Sequence, residues 1–411
     1  MSHGTPSSAT PQAGHLQPQG QIVRIRSSDR APFGVVLVSW IVALGFSATC
    51  DAFERDYDVW VDTLSTGMVR VYNRDLMRTR QEPDFLLVEE LRFGQAPGAA
   101  SAQDPGAFGD IVGLAVDGSG RTYVADRASQ EIRVFDSEGT FLRRFGRDGD
   151  GPGEFLALGG VVWHRSGALL AMDVGARRIT AFNSLGEVLS TSAHNGNTRS
   201  TATFWRAETD TLGFLYERDW DSPSWARRVV KHRVLPDFTL APVDTIDLPE
   251  RGPNFDSIPT NWRPLWSVDP DGSVWHGNTN RFLFYKVTHR SDTTLAVELR
   301  RPTPRLEGRE RDSLAAAWDL PSSSLPRYKA VLRLLRVAGD GRVWVWNPYA
   351  RQRWGMWEMF DGRGHHLGQV GTTVALASTP SPVFGDGTVT GVTHDDSGAQ
   401  YVVRLRVREV D

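Results

Sequence analysis

From about residue 85 onward, apolar residues fall into short runs bounded by Gly, Asp and Ser, the pattern of many short β-strands. The clearest unit holds Ile111–Val116, residues 121–125, 131–136 and 140–145, with turns at Gly118-Ser119-Gly120 and Glu138-Gly139. It then repeats. Pro105-Gly106-Ala107-Phe108 returns 47 residues later as Pro152-Gly153-Glu154-Phe155. At the same offset Gly120 maps to Gly167, Asp126 to Asp173, Ile132 to Ile179 and Phe135 to Phe182. A period of this length with four strands per unit predicts radial β architecture.

Six units can be laid out: the first, then residues 160–192, an eroded third over 202–248, then 265–300, 332–371, and a sixth from about Pro382 through 400–407. The turn glycines are Gly120, Gly167, Gly272, Gly341 and Gly387, and six residues after each stand Asp126, Asp173, Asn278, Asn347 and Thr393. These small polar residues end the second strand of five units. The sixth lacks an outer strand before the chain ends. Residues 85–94 supply one, because Leu91-Arg92-Phe93-Gly94 echoes Arg143-Arg144-Phe145-Gly146. An N-terminal strand in the last blade would close the ring and remove an open edge. The fold expected is an all-β, six-bladed propeller over 84–411, behind a disordered leader (1–30) with a basic end, a signal or anchor segment (31–49), and a tether (50–83) with a hairpin-like stretch at 59–72. Between blades four and five, residues 307–335 read as two short helices, near 314–318 and 328–335, forming either a lid on the channel or a packed cap.

The loop Gly149-Asp150-Gly151-Pro152-Gly153-Glu154-Phe155, the turn Asp117-Gly118-Ser119-Gly120 and the strand Tyr123-Val124-Ala125-Asp126 resemble NHL repeats. More narrowly, the chain is similar to exported bacterial six-bladed propellers with degenerate NHL-type blades. It departs at the namesake Asn-His, where Ser129-Gln130 and Ala176-Arg177 stand. The resemblance implies an envelope scaffold and no particular activity.

Composition narrows the reading. A net charge of −3 argues against a nucleic-acid partner. Fourteen tryptophans, set in runs such as Val343-Trp344-Val345-Trp346, fit strands buried on both faces. The single cysteine, Cys50, permits no intrachain disulfide. It ends an uncharged apolar run, 31–49, preceded by Arg24, Arg26 and Arg30, the form of an export signal or single membrane anchor. Ser47-Ala48-Thr49-Cys50 resembles a lipobox, with Ser47 and Thr49 off its pattern. Lipidation at Cys50, an ordinary cleaved signal and an uncleaved anchor stay open, and each places the remaining chain outside the cytoplasm. Val23 is a candidate start codon, which would give the signal a normal basic beginning.

No nucleophile elbow, His-Glu-x-x-His or phosphate loop occurs. Asp126, Asp173, Asn278 and Asn347 are candidate ligand contacts ringing one face, against the alternative that they cap turns. Arg178, Arg281 and Arg351 follow them as a candidate anion-attracting rim. Asp148, Asp150 and Glu154 gather hard oxygen ligands suited to Ca²⁺. His276 and His394 lie on second strands, but the histidines occupy unlike repeat positions. The function expected is that of an envelope-located, monomeric binding propeller for a protein, peptide or glycan ligand, with no catalytic residue assigned. The alternative is a metal-dependent propeller hydrolase or lyase with its site at the central channel.

Overall fold

Reversing a strand within the tight turn that precedes each second strand needs a left-handed residue, which glycine adopts without a Cβ penalty. Gly120, Gly167, Gly272, Gly341 and Gly387 all do so, with φ between +68° and +85°. In blades one, three and four an Asp opens the turn and organises it. Asp117 Oδ1 accepts the N–H groups of Ser119 (2.9 Å) and Arg121 (3.0 Å), and its Oδ2 accepts the Tyr123 hydroxyl at 3.2 Å. Tyr216 on Asp210 (2.9 Å) and the Trp275 indole on Asp269 (2.8 Å) repeat the device.

The computed structural model describes residues 59–74, 82–95, 104–194, 206–218, 228–248, 265–277, 281–329, 331–347 and 355–410. The chain is a six-bladed β-propeller. Blade one comprises Ile111–Val116, Thr122–Asp126, Glu131–Phe135 and Phe141–Phe145, and blade two Leu158–His164, Ala168–Asp173, Arg178–Phe182 and Val188–Ala193. Blade three holds Ala207–Thr209, Phe214–Arg218, Arg228–Val234 and Leu240–Asp247, so the eroded unit is a full blade. Blade four holds Leu265–Val268, Val274–Gly277, Leu283–Val287 and Thr293–Arg300, and blade five Leu335–Val337, Val343–Asn347, Gly355–Phe360 and His366–Thr372. Blade six holds Val383–Gly385, Thr388–His394 and Gln400–Glu409.

Its fourth strand is Phe85–Phe93, paired antiparallel from Phe85↔Glu409 to Phe93↔Val402, as the sequence predicts. The same strand begins parallel to blade five, with Phe85 to Leu87 beside Val370 to Thr372. One apolar cluster fills each junction between neighbouring blades, six in all among the described residues. Second strands are sandwiched between two such clusters, which is why Thr122–Asp126 and Ala168–Asp173 are buried at every position. Trp266, Trp275, Trp344 and Trp357 are likewise buried.

Two expectations change. The stretch at 59–72 does form a hairpin, Val59–Thr63 with Val69–Arg74, but its second strand lies parallel on the outer strand of blade four, from Val69↔Leu295 to Arg74↔Arg300. Val71 is buried in the junction of blades four and five, and Asn73 accepts the His366 N–H and donates to Gly364 O, each at 2.9 Å. Residues 59–74 therefore belong to the propeller and not to a tether. In the insertion only Gly308–Ala317 is an α-helix, followed by the 3₁₀ turn Ser322–Ser324. Residues 331–335 are extended instead of helical. Val331, Leu332 and Leu335 pack into the junction of blades four and five while Leu334 packs into that of five and six. Feeding two cores from opposite sides demands a strand, and tertiary packing overrides the local period. The insertion is closed on itself by Arg311, whose guanidinium donates to the carbonyls of Leu306, Ser322, Leu325 and Pro326.

The closing strand generates a test. Leu87 is 3% exposed and Val88 is 43% exposed. Leu87→Ala should lower the urea unfolding free energy by about 2–5 kcal/mol, and Val88→Ala should stay within about 0.5 kcal/mol. Equal losses would contradict the closure geometry.

Candidate functional site

Two of the repeated polar positions, Asp126 and Asp173, are structural caps. Asp126 accepts the N–H groups of Gly109 (3.1 Å), Asp110 (2.9 Å) and Ala128 (3.1 Å) at 1% exposure. Asp173 does the same for Leu156, Ala157, Gly175 and Ala176, each at 3.0 Å. Both anchor the chain just before an inner strand. Arg178 is no free rim cation. It donates to Asp150 O (2.8 Å) and Glu154 O (2.9 Å) and stands 3.5 Å from Asp173, clamping the Pro152-Gly153 loop. Arg133 clamps the Pro105-Gly106 loop in the same way through Pro105 O (3.2 Å) and Ala107 O (2.6 Å), beside Asp126 at 3.3 Å. Where the namesake Asn-His would stand, Gln130 Oε1 accepts the N–H of Leu158 in the next blade at 2.8 Å. Gln400 does so for Ile111 at 2.7 Å, latching blade six to blade one.

Asn347 is buried and donates to Glu358 at 3.1 Å, and Thr393 donates to Ala375 O at 2.8 Å. Arg281 is exposed on the loop before Leu283. Cys50, Asn278 and Arg351 lie outside the described residues. Two of the three candidate Ca²⁺ ligands are engaged elsewhere, Glu154 by Arg147 (2.6 Å) and the Gly151 N–H (2.7 Å), and Asp150 by Arg178 (3.0 Å). Among the described residues no group of three or more His, Cys, Asp or Glu is arranged to hold a metal.

Two buried carboxylates stitch blade junctions. Glu358 accepts from Arg301, Gln369 and His366 (each 2.8 Å) as well as Asn347. Burial works to raise its pKa, yet the His366 hydrogen bond and the Arg301 charge outweigh that and hold it at about 2. Glu217 lies 3.1 Å from His194 and 3.0 Å from His232, and these partners overcome burial to hold it at about 2. His276 is 1% exposed, donates from Nδ1 to Leu265 O at 3.0 Å, and is pushed down to about 4 by burial, with the Arg218 charge adding.

The innermost strands carry a different constellation. In blade one the inner strand is apolar and close-packed, a Cβ on Gly113 meeting Val161 N at 2.9 Å, and in blade two it is apolar up to His164 at its end. Blades three and five carry a charge there, Glu208 and Arg336, and blade four a hydroxyl, Ser267. Glu208 accepts from Arg206 Nε (3.1 Å), from the Ser267 hydroxyl (2.8 Å) and from the Val268 N–H (2.7 Å). Ser267 in turn accepts the Val337 N–H at 3.0 Å. Arg336, 5% exposed, donates to Leu335 O and to the Ser381 hydroxyl. Arg206 lies over the Trp266 ring, 4.6 Å from its centroid. Burial works to raise Glu208, but the charges of Arg206 and Arg336 hold it below the ordinary carboxylate range. Burial and the Arg206 charge press Arg336 well down, against the attraction of Glu208.

Sequence reasoning passed over this belt, because inner strands are recognised by apolar residues. The signal was a charged or hydroxyl residue inside so short a run, as in Leu335-Arg336-Val337. Two shallow grooves, between blades one and two and between two and three, contain none of the belt's charges.

Residues 104–232 match the model of the DUF5128 family, described as a 6-bladed beta-propeller. No curated protein matches. Among solved structures, a candidate exported protein from Bacteroides fragilis is 12% identical with a TM-score of 0.49, covering 83% of this chain and 100% of that one. A member of the duf4221 family from Bacteroides vulgatus is 11% identical with a TM-score of 0.49, covering 80% and 99%. A virginiamycin B lyase from Staphylococcus aureus is 10% identical with a TM-score of 0.40, covering 80% and 89%.

The depressed values set a pH response. A His whose folded pKa lies below its unfolded one resists protonation in the native state, so its contribution is whole above pH 6.5 and is lost as pH falls toward 4. The loss amounts to about 3 kcal/mol. The two carboxylates lose theirs from 4.5 down toward 2. Urea unfolding should therefore weaken between pH 6.5 and 4, and His276→Gln should flatten that interval while leaving the steeper loss below 4.5. An unchanged slope in the variant would refute the assignment.

Proposed function

We propose that this chain is an exported, non-catalytic β-propeller that binds a protein, peptide or glycan ligand at the charged sector of its inner ring. The carrying observation is the belt of Arg206, Glu208, Ser267 and Arg336 on the inner strands of three successive blades, closed onto Ser381 beside the sixth. Charge on inner strands costs desolvation and is not needed to close the ring, since the inner strand of blade one packs with apolar residues and glycine alone. Binding sites of closed β architectures sit where inner strands converge. The export reading rests on the basic and apolar run that ends at Cys50.

Peptide and glycan arrays should retain the wild-type protein, and Arg206→Ala should lose that retention at unchanged melting temperature. A broad ester, lactone and glycan screen should show no turnover. Stoichiometric bound metal together with turnover would overturn the binding reading in favour of a hydrolase or lyase.

For location, Cys50→Ser should leave the propeller folded and shift the protein from the membrane fraction to a soluble or unprocessed pool, read by fractionation and intact mass. Membrane retention at unchanged mass would show an uncleaved anchor and refute lipidation.

A further inference from the structure

Charge in the inner belt does not balance. Arg206 and Arg336 are guanidinium cations that stay protonated in proteins. Glu208 is the one carboxylate among the described residues that faces either of them. The remaining contacts of the two arginines are neutral: Trp266 O, Leu335 O and the Ser381 hydroxyl. Two other buried carboxylates each have a guanidinium counter-charge, Glu358 in Arg301 and Asp126 in Arg133. One positive charge is left over at a place where Arg336 is 5% exposed. A buried cation without a counter-charge is costly, and an anion that enters recovers that cost.

We propose that Arg206 and Arg336 together form a receptor for the carboxylate of a small acidic ligand, an inference that rests on the inner ring being the binding region. A monoanion matches the single surplus charge. The planar forks of two arginines suit a carboxylate, which takes paired N–H bonds better than a spherical halide does. Glu208 competes for the same guanidinium groups. It orients Arg206 while weakening the ligand's hold.

The full-length protein is titrated with D-glucuronate, with glucose and chloride as controls, by calorimetry and by melting temperature. Glucuronate should bind with one-to-one stoichiometry and raise the melting temperature, and glucose and equimolar chloride should do neither. Glu208→Gln, which removes the competing charge, should tighten glucuronate about tenfold, a change of about 1.4 kcal/mol. Arg336→Met should weaken it at least tenfold and melt no lower than wild type without ligand, because the surplus charge is gone. Arg206→Gln serves as the second variant should Arg336→Met fail to fold. A glucuronate response no larger than that of chloride, or a weaker one in Glu208→Gln, overturns the carboxylate assignment. Array retention lost in Arg206→Ala alongside such a null titration leaves the inner-ring reading standing. Array retention indifferent to Arg206→Ala overturns that reading itself.

Discussion

The pairing of Phe85–Phe93 with Gln400–Glu409 holds the two ends of the propeller together, and each junction cluster depends on the ring it closes. Blades in this chain are not stable units. Their second strands are buried on both faces, so each needs a neighbour before and after it. Opening any junction exposes two apolar sheet faces at once. The closing strand does more than cap blade six, since its first residues also run beside blade five. The hairpin at 59–74 reinforces the neighbouring junction, where Asn73 spans from the edge of blade four to blade five.

Within the ring, polar side chains do work that backbone pairing cannot. Asp126 and Asp173 satisfy N–H groups where the chain crosses from one blade toward the next inner strand, and the clamping arginines hold the Pro-Gly loops on them. Gln130 and Gln400 reach across to the first N–H of the following blade. These groups are spent on the fold. A ligand would have to displace buried hydrogen bonds to use them, each costing about 1–3 kcal/mol if left unmade.

That accounting separates the inner belt from everything else polar in the molecule. The stitching carboxylates Glu217 and Glu358 lie between blades, and Glu358 accepts four hydrogen bonds. Glu208 also stitches, through Ser267 and Val337, yet it is outnumbered by the two arginines around it. The asymmetry around the ring, apolar in the inner strand of blade one and charged in those of blades three and five, is the feature that repeat symmetry does not account for.

The sequence alone determined the blade count, the turn glycines and the closing strand, and it offered capping as one of two readings of the Asp positions, because each follows from local rules. A turn needs a left-handed glycine, an Asx side chain bonds its own neighbourhood, and an incomplete last blade needs a strand from elsewhere. It also placed a hairpin at 59–72 without showing where that hairpin docks, since a parallel addition to a blade edge leaves no local mark. The helical period of residues 328–335 gave way to an extended path, because Leu332, Leu334 and Leu335 had to enter two different cores. The belt was decided by tertiary structure alone. Arg206, Glu208, Ser267 and Arg336 are spread over 130 residues, and only the circular order of the blades sets their inner strands side by side, where charges unremarkable in sequence share one low-dielectric environment.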